Sequence, residues 1–171
     1  MDLDQLAQRE NEIEVKLLRL SGPIEDRIRQ VSQLGVEDQY RDIFAGYTAL
    51  LSDPAQALEA LKRCSFLAWY AFNEPTWLSG IGQLSEQGLR KVMETIDAAL
   101  VDPVSDPELE AMLRYYVRVC EVPFNLDRDL RNLQTLVVSA QDATGANNWR
   151  TSNTDGRGQM GRYWSSLRSD V

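Results

Sequence analysis

Apolar side chains recur every three or four positions along most of the chain, which is the spacing of one face of an α-helix. The first such stretch predicts a helix over residues 2–19, in which Glu10 is the one polar member of the apolar face. Six further apolar faces follow, around Ile28, Phe44, Leu67, Met93, Met112 and Leu133. No stretch alternates as a β-strand would. The pattern predicts an all-α fold, a single compact bundle of about seven helices arranged as antiparallel helix pairs.

Turn and capping residues predict where these helices begin and end. Gly22-Pro23 separates the first two helices, and Gly35 ends the second. Asp53-Pro54 and Asp106-Pro107 are typical of an N-cap followed by proline in the first turn. Ser85 is expected to cap the fifth helix, and the seventh is predicted over residues 126–140.

The fourth helix differs from the others because its apolar residues do not form a stripe. From Cys64 to Phe72 only Ser65 is polar. A helix that is apolar on every side is buried on every side. This helix is therefore expected to lie at the centre of the core, with its aromatic residues packed there.

The composition changes after residue 140. Asn, Thr, Ser and Gly dominate residues 141–161, and ordering such a stretch costs entropy that little apolar burial offsets. We therefore expect a helical domain over residues 1–140 and a polar, flexible tail over residues 141–171. Met160, Tyr163, Trp164 and Leu167 would form a short amphipathic end.

Charge and apolar run length exclude two classes of partner. The formal net charge of −8 repels phosphate backbones and anionic lipids, so neither nucleic acid nor a membrane is expected to bind. The longest apolar-rich run, residues 64–72, is far shorter than a membrane span, and the N-terminus lacks the pattern of a signal peptide. A cytoplasmic location is expected.

The residue types that are absent from the chain, or rare in it, are equally informative. The chain has no histidine and only two cysteines, Cys64 and Cys120. These counts exclude Ser-His-Asp and Cys-His nucleophile systems, and they exclude zinc sites made of His and Cys. No catalytic residue, metal ligand or cofactor is predicted, although the sequence does not show whether the two thiols approach each other.

One candidate binding site lies at two predicted helix ends. Glu74 and Glu121 each follow a helix, where a carboxylate opposes the helix dipole. Asn73, Glu74 and Glu121, together with the loop around Trp77, could bind a small molecule or support acid–base chemistry. The simpler interpretation is that these acids lie on the surface beside prolines.

A second candidate lies in the tail. Trp149, Arg150, Tyr163 and Trp164 are tryptophan, tyrosine and arginine residues, the types favoured as binding anchors, in a largely polar context. They would either recognise a partner or fold back and cap the bundle.

These features support three hypotheses about function. The first is a non-catalytic interaction protein, an adaptor or an acidic inhibitor or immunity-type protein, with a protein partner that carries a basic surface. The second is a small-molecule-binding protein or enzyme that uses Glu74 and Glu121 near Trp77. The third is a helical-repeat scaffold, suggested by two similar stretches, residues 49–63 and 99–114. The sequence does not give the oligomeric state.

Overall fold

The computed structural model describes residues 1–101, 106–142 and 153–169. Within these ranges the chain forms only helices and connecting turns, packed in one compact arrangement, so the predicted all-α fold is confirmed. The helices are α1 (Leu3–Leu18), α2 (Ile24–Leu34), α3 (Val36–Leu50), α4 (Ala57–Asn73), α5 (Thr76–Ser79), α6 (Glu86–Ala99), α7 (Pro107–Val119), α8 (Arg131–Asp142) and α9 (Gly158–Ser169), with a 3-10 turn at Val122–Phe124.

Several helix boundaries follow directly from local chemistry. The Asp2 side chain accepts a hydrogen bond from the Gln5 amide, and the Gln5 side chain accepts one from the Asp2 amide. Ser85 caps α6, and Asp106 caps α7 by accepting from Leu109 N. Gly35 has a φ of 60°, the left-handed conformation that lets α2 end and α3 begin at a single residue.

Two helices begin later than their sequences predict, because side chains hold turns in front of them. The Asp53 carboxylate accepts from Ala55 N and from the Gln56 side chain, so α4 begins at Ala57. Before α8, the side-chain amide of Gln134 donates hydrogen bonds to the backbone carbonyl oxygens of Phe124 and Asp127. These bonds stabilise a turn where the sequence predicts the first helical residues.

Helix α4 lies at the centre of the fold. Every side chain from Ala60 to Trp69 is buried, and α4 packs against α3, α6, α7 and α9. The apolar run over residues 64–72 predicts this placement, and the structure buries residues 64–69; Phe72, in the last turn of α4, is exposed instead.

Aromatic side chains from three helices form much of this core. Trp69 of α4 stacks on Tyr116 of α7, with 4.7 Å between ring centroids. Trp164 of α9 packs over the same tyrosine and donates its indole N–H to the Tyr116 hydroxyl at 3.1 Å. The hydroxyl groups of Tyr115 and Tyr163 are 2.6 Å apart. The last helix is therefore joined to the core by both ring packing and hydrogen bonds.

Helix α9 packs mainly against α1, at the other end of the chain, and also against α4. Its Met160 and Trp164 side chains are buried in the core. The part of the predicted tail that the structure describes, residues 153–169, thus lies against the helical body. Residues 143–152 lie outside the described ranges, and for them the domain boundary at residue 140 stays a prediction.

The helix packing also bears on the scaffold hypothesis. Helices α3 and α4 pack along one another, whereas α6 packs on α3, α4 and α8, and α7 packs mainly along α8. The helices joined by residues 49–63, α3 and α4, thus pack on each other, whereas the helices joined by residues 99–114, α6 and α7, pack mainly on other helices. No helix within the described ranges is both long enough and apolar enough to cross a membrane.

Candidate functional site

The polar member of the first helix's apolar face lies inside the protein. Glu10 is 2% exposed, and its carboxylate accepts from the Tyr47 hydroxyl at 2.6 Å and from the Gln159 amide at 2.8 Å. Burial raises the pKa of Glu10, while these two donors and the nearby Arg63 act in the opposite direction. The carboxylate thereby connects α1 to α3 and to the start of α9.

Arg157 makes the second buried connection to α9. Its guanidinium binds Glu59 through Nε and Nη2, at 2.8 and 2.6 Å, and binds Glu108 through Nη1 at 2.5 Å. Each carboxylate has another cation beside it. Glu59 pairs with Arg63 at 2.9 Å, and Glu108 pairs with Lys62 at 2.6 Å.

A polar cavity of about 340 Å³ opens beside this ion-pair network. Burial alone would lower the pKa of Arg157, but the hydrogen bonds to Glu59 and Glu108 raise it well above its ordinary value. The acids and bases of this network pair with one another and join α4 and α7 to the residue that directly precedes α9. We assign them to anchoring α9. The cavity is lined by Asp4, Glu59, Arg63, Glu108, Asn153, Asp155, Gly156 and Arg157.

An apolar groove crosses the surface where the end of α4, the start of α6 and the turn before α8 meet. It consists of two neighbouring cavities of about 410 and 300 Å³ that share Glu86, Leu89 and Leu126. We call it the Phe72–Leu126 groove, after its two exposed apolar residues. Its other lining residues are Ala71, Gly82, Gln83, Leu84, Arg90, Met93, Pro123, Phe124, Asp127, Leu130 and Leu133.

Local structure explains why two large apolar side chains of the groove remain exposed. Phe72 lies in the last turn of α4, beyond the segment that the neighbouring helices cover, and is 44% exposed. Leu126 lies in the turn fixed by Gln134, follows the buried Pro123 and Phe124, and is 62% exposed. Exposed apolar side chains around concave surface are typical of a binding site.

The sequence does not reveal this groove, because it predicts Phe72 within the buried fourth helix and Leu126 as the first residue of the seventh helix. Weak signals were nevertheless present. Phe72 directly precedes the helix-ending residues 73–75, and Leu126 is followed by three charged residues, 127–129. An apolar residue at such a boundary has fewer helical neighbours to cover it.

The residues of the first predicted binding site have separate partners. The Asn73 side chain donates to Glu74 at 3.2 Å, and Glu121 accepts a hydrogen bond from Gln141 of α8. Trp77 lies in α5, where the Arg27 guanidinium is 5.1 Å from its ring centroid. The described residues contain no group of three or more acids and cysteines arranged to hold a metal ion. A shared role for Glu74 and Glu121 stays a prediction.

The structure describes only two of the four residues of the second predicted site, Tyr163 and Trp164. Trp164 lies in the core, and Tyr163 is half-buried against the aromatic residues of α4 and α7. Of the two roles that the sequence left open for these residues, their positions correspond to capping the bundle. Trp149 and Arg150 lie outside the described residues, so their proposed binding role stays a prediction.

The two cysteines are free thiols in different environments. Cys64 is buried in α4, and burial raises its pKa well above the ordinary value of a thiol. Cys120 is half-buried at the end of α7.

Comparison with known proteins gives no relative: no family model, no curated protein and no solved structure matches this chain.

Proposed function

We propose that this protein is a non-catalytic interaction module that binds the apolar face of a partner protein in the Phe72–Leu126 groove. The observation that carries the proposal is the pair of neighbouring cavities that adjoin Phe72 and Leu126. The side chains of both residues are substantially exposed. Grooves of this kind on helical proteins bind amphipathic helices through a few apolar anchors.

The division of the groove into two adjoining cavities suits a helical segment. Side chains at positions i and i+4 of a helix are neighbours, about 5–6 Å apart at Cβ. Two such side chains can enter two cavities that share Leu89 and Leu126. Full burial of each large apolar side chain contributes about 1.5–3 kcal/mol, which is a substantial part of a micromolar affinity.

Other features support a binding role over a catalytic one. The sequence lacks histidine, the usual proton shuttle at neutral pH. The buried acids and bases pair with one another beneath α9. The two free thiols and the acidic composition support a cytoplasmic setting, where thiols stay reduced.

The test selects peptides from a display library of 18-residue helices with apolar residues varied at i, i+4 and i+7. Selected peptides are then titrated by fluorescence anisotropy against the wild type and against two neutral variants, Leu126→Gln and Phe72→Gln. Losing one apolar anchor contact of about 1.4 kcal/mol weakens binding about tenfold. We expect each variant to lose at least this much.

Leu18→Gln is the matched control, because Leu18 is 77% exposed on α1 and does not line the groove. Its affinity should equal that of the wild type. Selection of no binder, or selected binders that tolerate Leu126→Gln as well as Leu18→Gln, would refute the proposed function.

A further inference from the structure

We infer that the Phe72–Leu126 groove selects a cationic amphipathic helix, one that carries lysine or arginine beside its apolar anchors. This inference rests on the proposed function and adds the charge of the partner. It is carried by two carboxylates that line the groove and a third that contacts a lining residue, and within the described residues only one of the three forms an ion pair.

Glu86 lies at the junction of the two cavities. It is the first residue of α6, its side chain is exposed, and it lines both cavities. No cation among the described residues pairs with its carboxylate. A basic side chain of a bound helix would therefore meet a negative charge that is still available.

Asp127 is the second carboxylate, next to the exposed Leu126. Its one ion pair in the described part of the chain is with Arg90, at 3.8 Å. Arg90 is largely exposed and is shared with Glu94, at 3.3 Å. Such exposed, shared pairs are weak, so a basic side chain of a bound helix could replace Arg90 beside Asp127 at little cost.

Glu37 of α3 is the third carboxylate; it does not line either cavity, but it contacts Gly82, which lines the larger one. Its side chain packs so closely on Gly82, which lines this cavity, that a methyl group at Gly82 would overlap with the carboxylate. Gly82 therefore permits the close approach of Glu37 to the groove. Within the residues described, no ion pair involves Glu37.

The groove thus combines an apolar floor with two lining carboxylates and one shared arginine, and a third carboxylate lies next to Gly82. Apolar contacts would supply most of the affinity, and the acids would favour cationic helices and disfavour anionic ones. The net charge of −8 acts in the same direction by steering cationic partners toward the protein.

The experiment uses three 18-residue helical peptides with identical leucine positions and with lysine, glutamine or glutamate at the remaining ones. Anisotropy titrations are run at low and at high salt. We expect the lysine peptide to bind at least tenfold more tightly than the glutamate peptide at low salt, with the glutamine peptide between them. The ratio should shrink at high salt because screening weakens surface charge interactions.

Two variants locate this effect in the groove. Glu86→Gln and Asp127→Asn should each reduce the ratio of lysine-peptide to glutamine-peptide affinity severalfold. Glu25→Gln, in the first turn of α2 and away from the groove, is the matched control and should leave the preference unchanged.

The outcomes separate the two proposals. If the three peptides bind equally and all depend on Leu126, the charge preference is overturned and the proposed function stands. If the lysine peptide binds but tolerates Leu126→Gln and is released by salt, binding is non-specific and both proposals are overturned. If none of the three binds, the inferred partner class is wrong, and the display selection alone decides the proposed function.

Discussion

Replacing Arg157 by alanine tests the argument that α9 is anchored by buried charge. The arginine is 8% exposed and donates hydrogen bonds to the carboxylates of Glu59 and Glu108. The variant removes the guanidinium and leaves both acids in place. Removing one partner of a buried ion pair typically costs about 3–5 kcal/mol, because the remaining charge is left uncompensated.

The structure places the expected cost below that range. Glu59 keeps its pair with Arg63, and Glu108 keeps its pair with Lys62. Both carboxylates are also about one quarter exposed, so water screens part of the uncompensated charge. We therefore expect Arg157→Ala to lower the free energy of unfolding by about 2 kcal/mol.

Urea denaturation followed by circular dichroism measures this change. With an m value of about 2 kcal/mol per molar urea, the midpoint should fall by about 1 M. Arg29→Ala is the matched control, because Arg29 is 67% exposed and pairs only with Asp26 within the described residues. It should cost no more than about 0.5 kcal/mol. A midpoint for Arg157→Ala within about 0.25 M of the wild type would refute the anchoring argument.

Three further predictions follow from burial. Because burial raises the pKa of Glu10 above 4.5, its ordinary value, the folded protein binds this proton more tightly than the unfolded chain. Wild-type stability should therefore fall relative to that of Glu10→Gln as the pH rises above 4.5, and a pH-independent difference in urea midpoints would contradict this. Trp164→Ala should cost about 3–5 kcal/mol in the same assay, since it removes a core indole; a cost under about 1 kcal/mol would mean that α9 is not packed as described. Burial also raises the pKa of the Cys64 thiol, so the Cys120→Ser variant should react slowly with a thiol reagent when native and rapidly in urea; rapid native reaction would disprove the burial of Cys64.

The helices could be predicted from the sequence because their buried faces are regular. The residues around Phe44 and Leu67 repeat at helical spacing, and the caps at Ser85 and Asp106 act through their own next few residues. Such signals are local, so a single sequence carries them. Glu10 also carried a usable signal, because a carboxylate within an apolar stripe must be buried with polar partners.

The contacts between distant segments could not be predicted in this way. Trp164 is buried because α1, α4 and α7 leave a space for it, and nothing within residues 158–169 encodes that space. Arg157 meets Glu59 and Glu108 only through the tertiary fold. The Phe72–Leu126 groove was missed for a related reason: exposure at a helix end depends on which neighbours fail to cover it.

The packing of α9 against the core of the protein has a consequence for synthesis. Residues 163 and 164 must be synthesised before Trp69 receives the Tyr163 ring and Tyr116 receives the Trp164 indole. Until then, the nascent chain presents uncovered rings together with carboxylates that still lack their arginine. Unassembled surfaces of this kind are prone to aggregation and are the ones that chaperones recognise. Completion of this fold therefore waits for the synthesis of α9, and shielding of the growing chain until then is expected to influence how much of it reaches the native state.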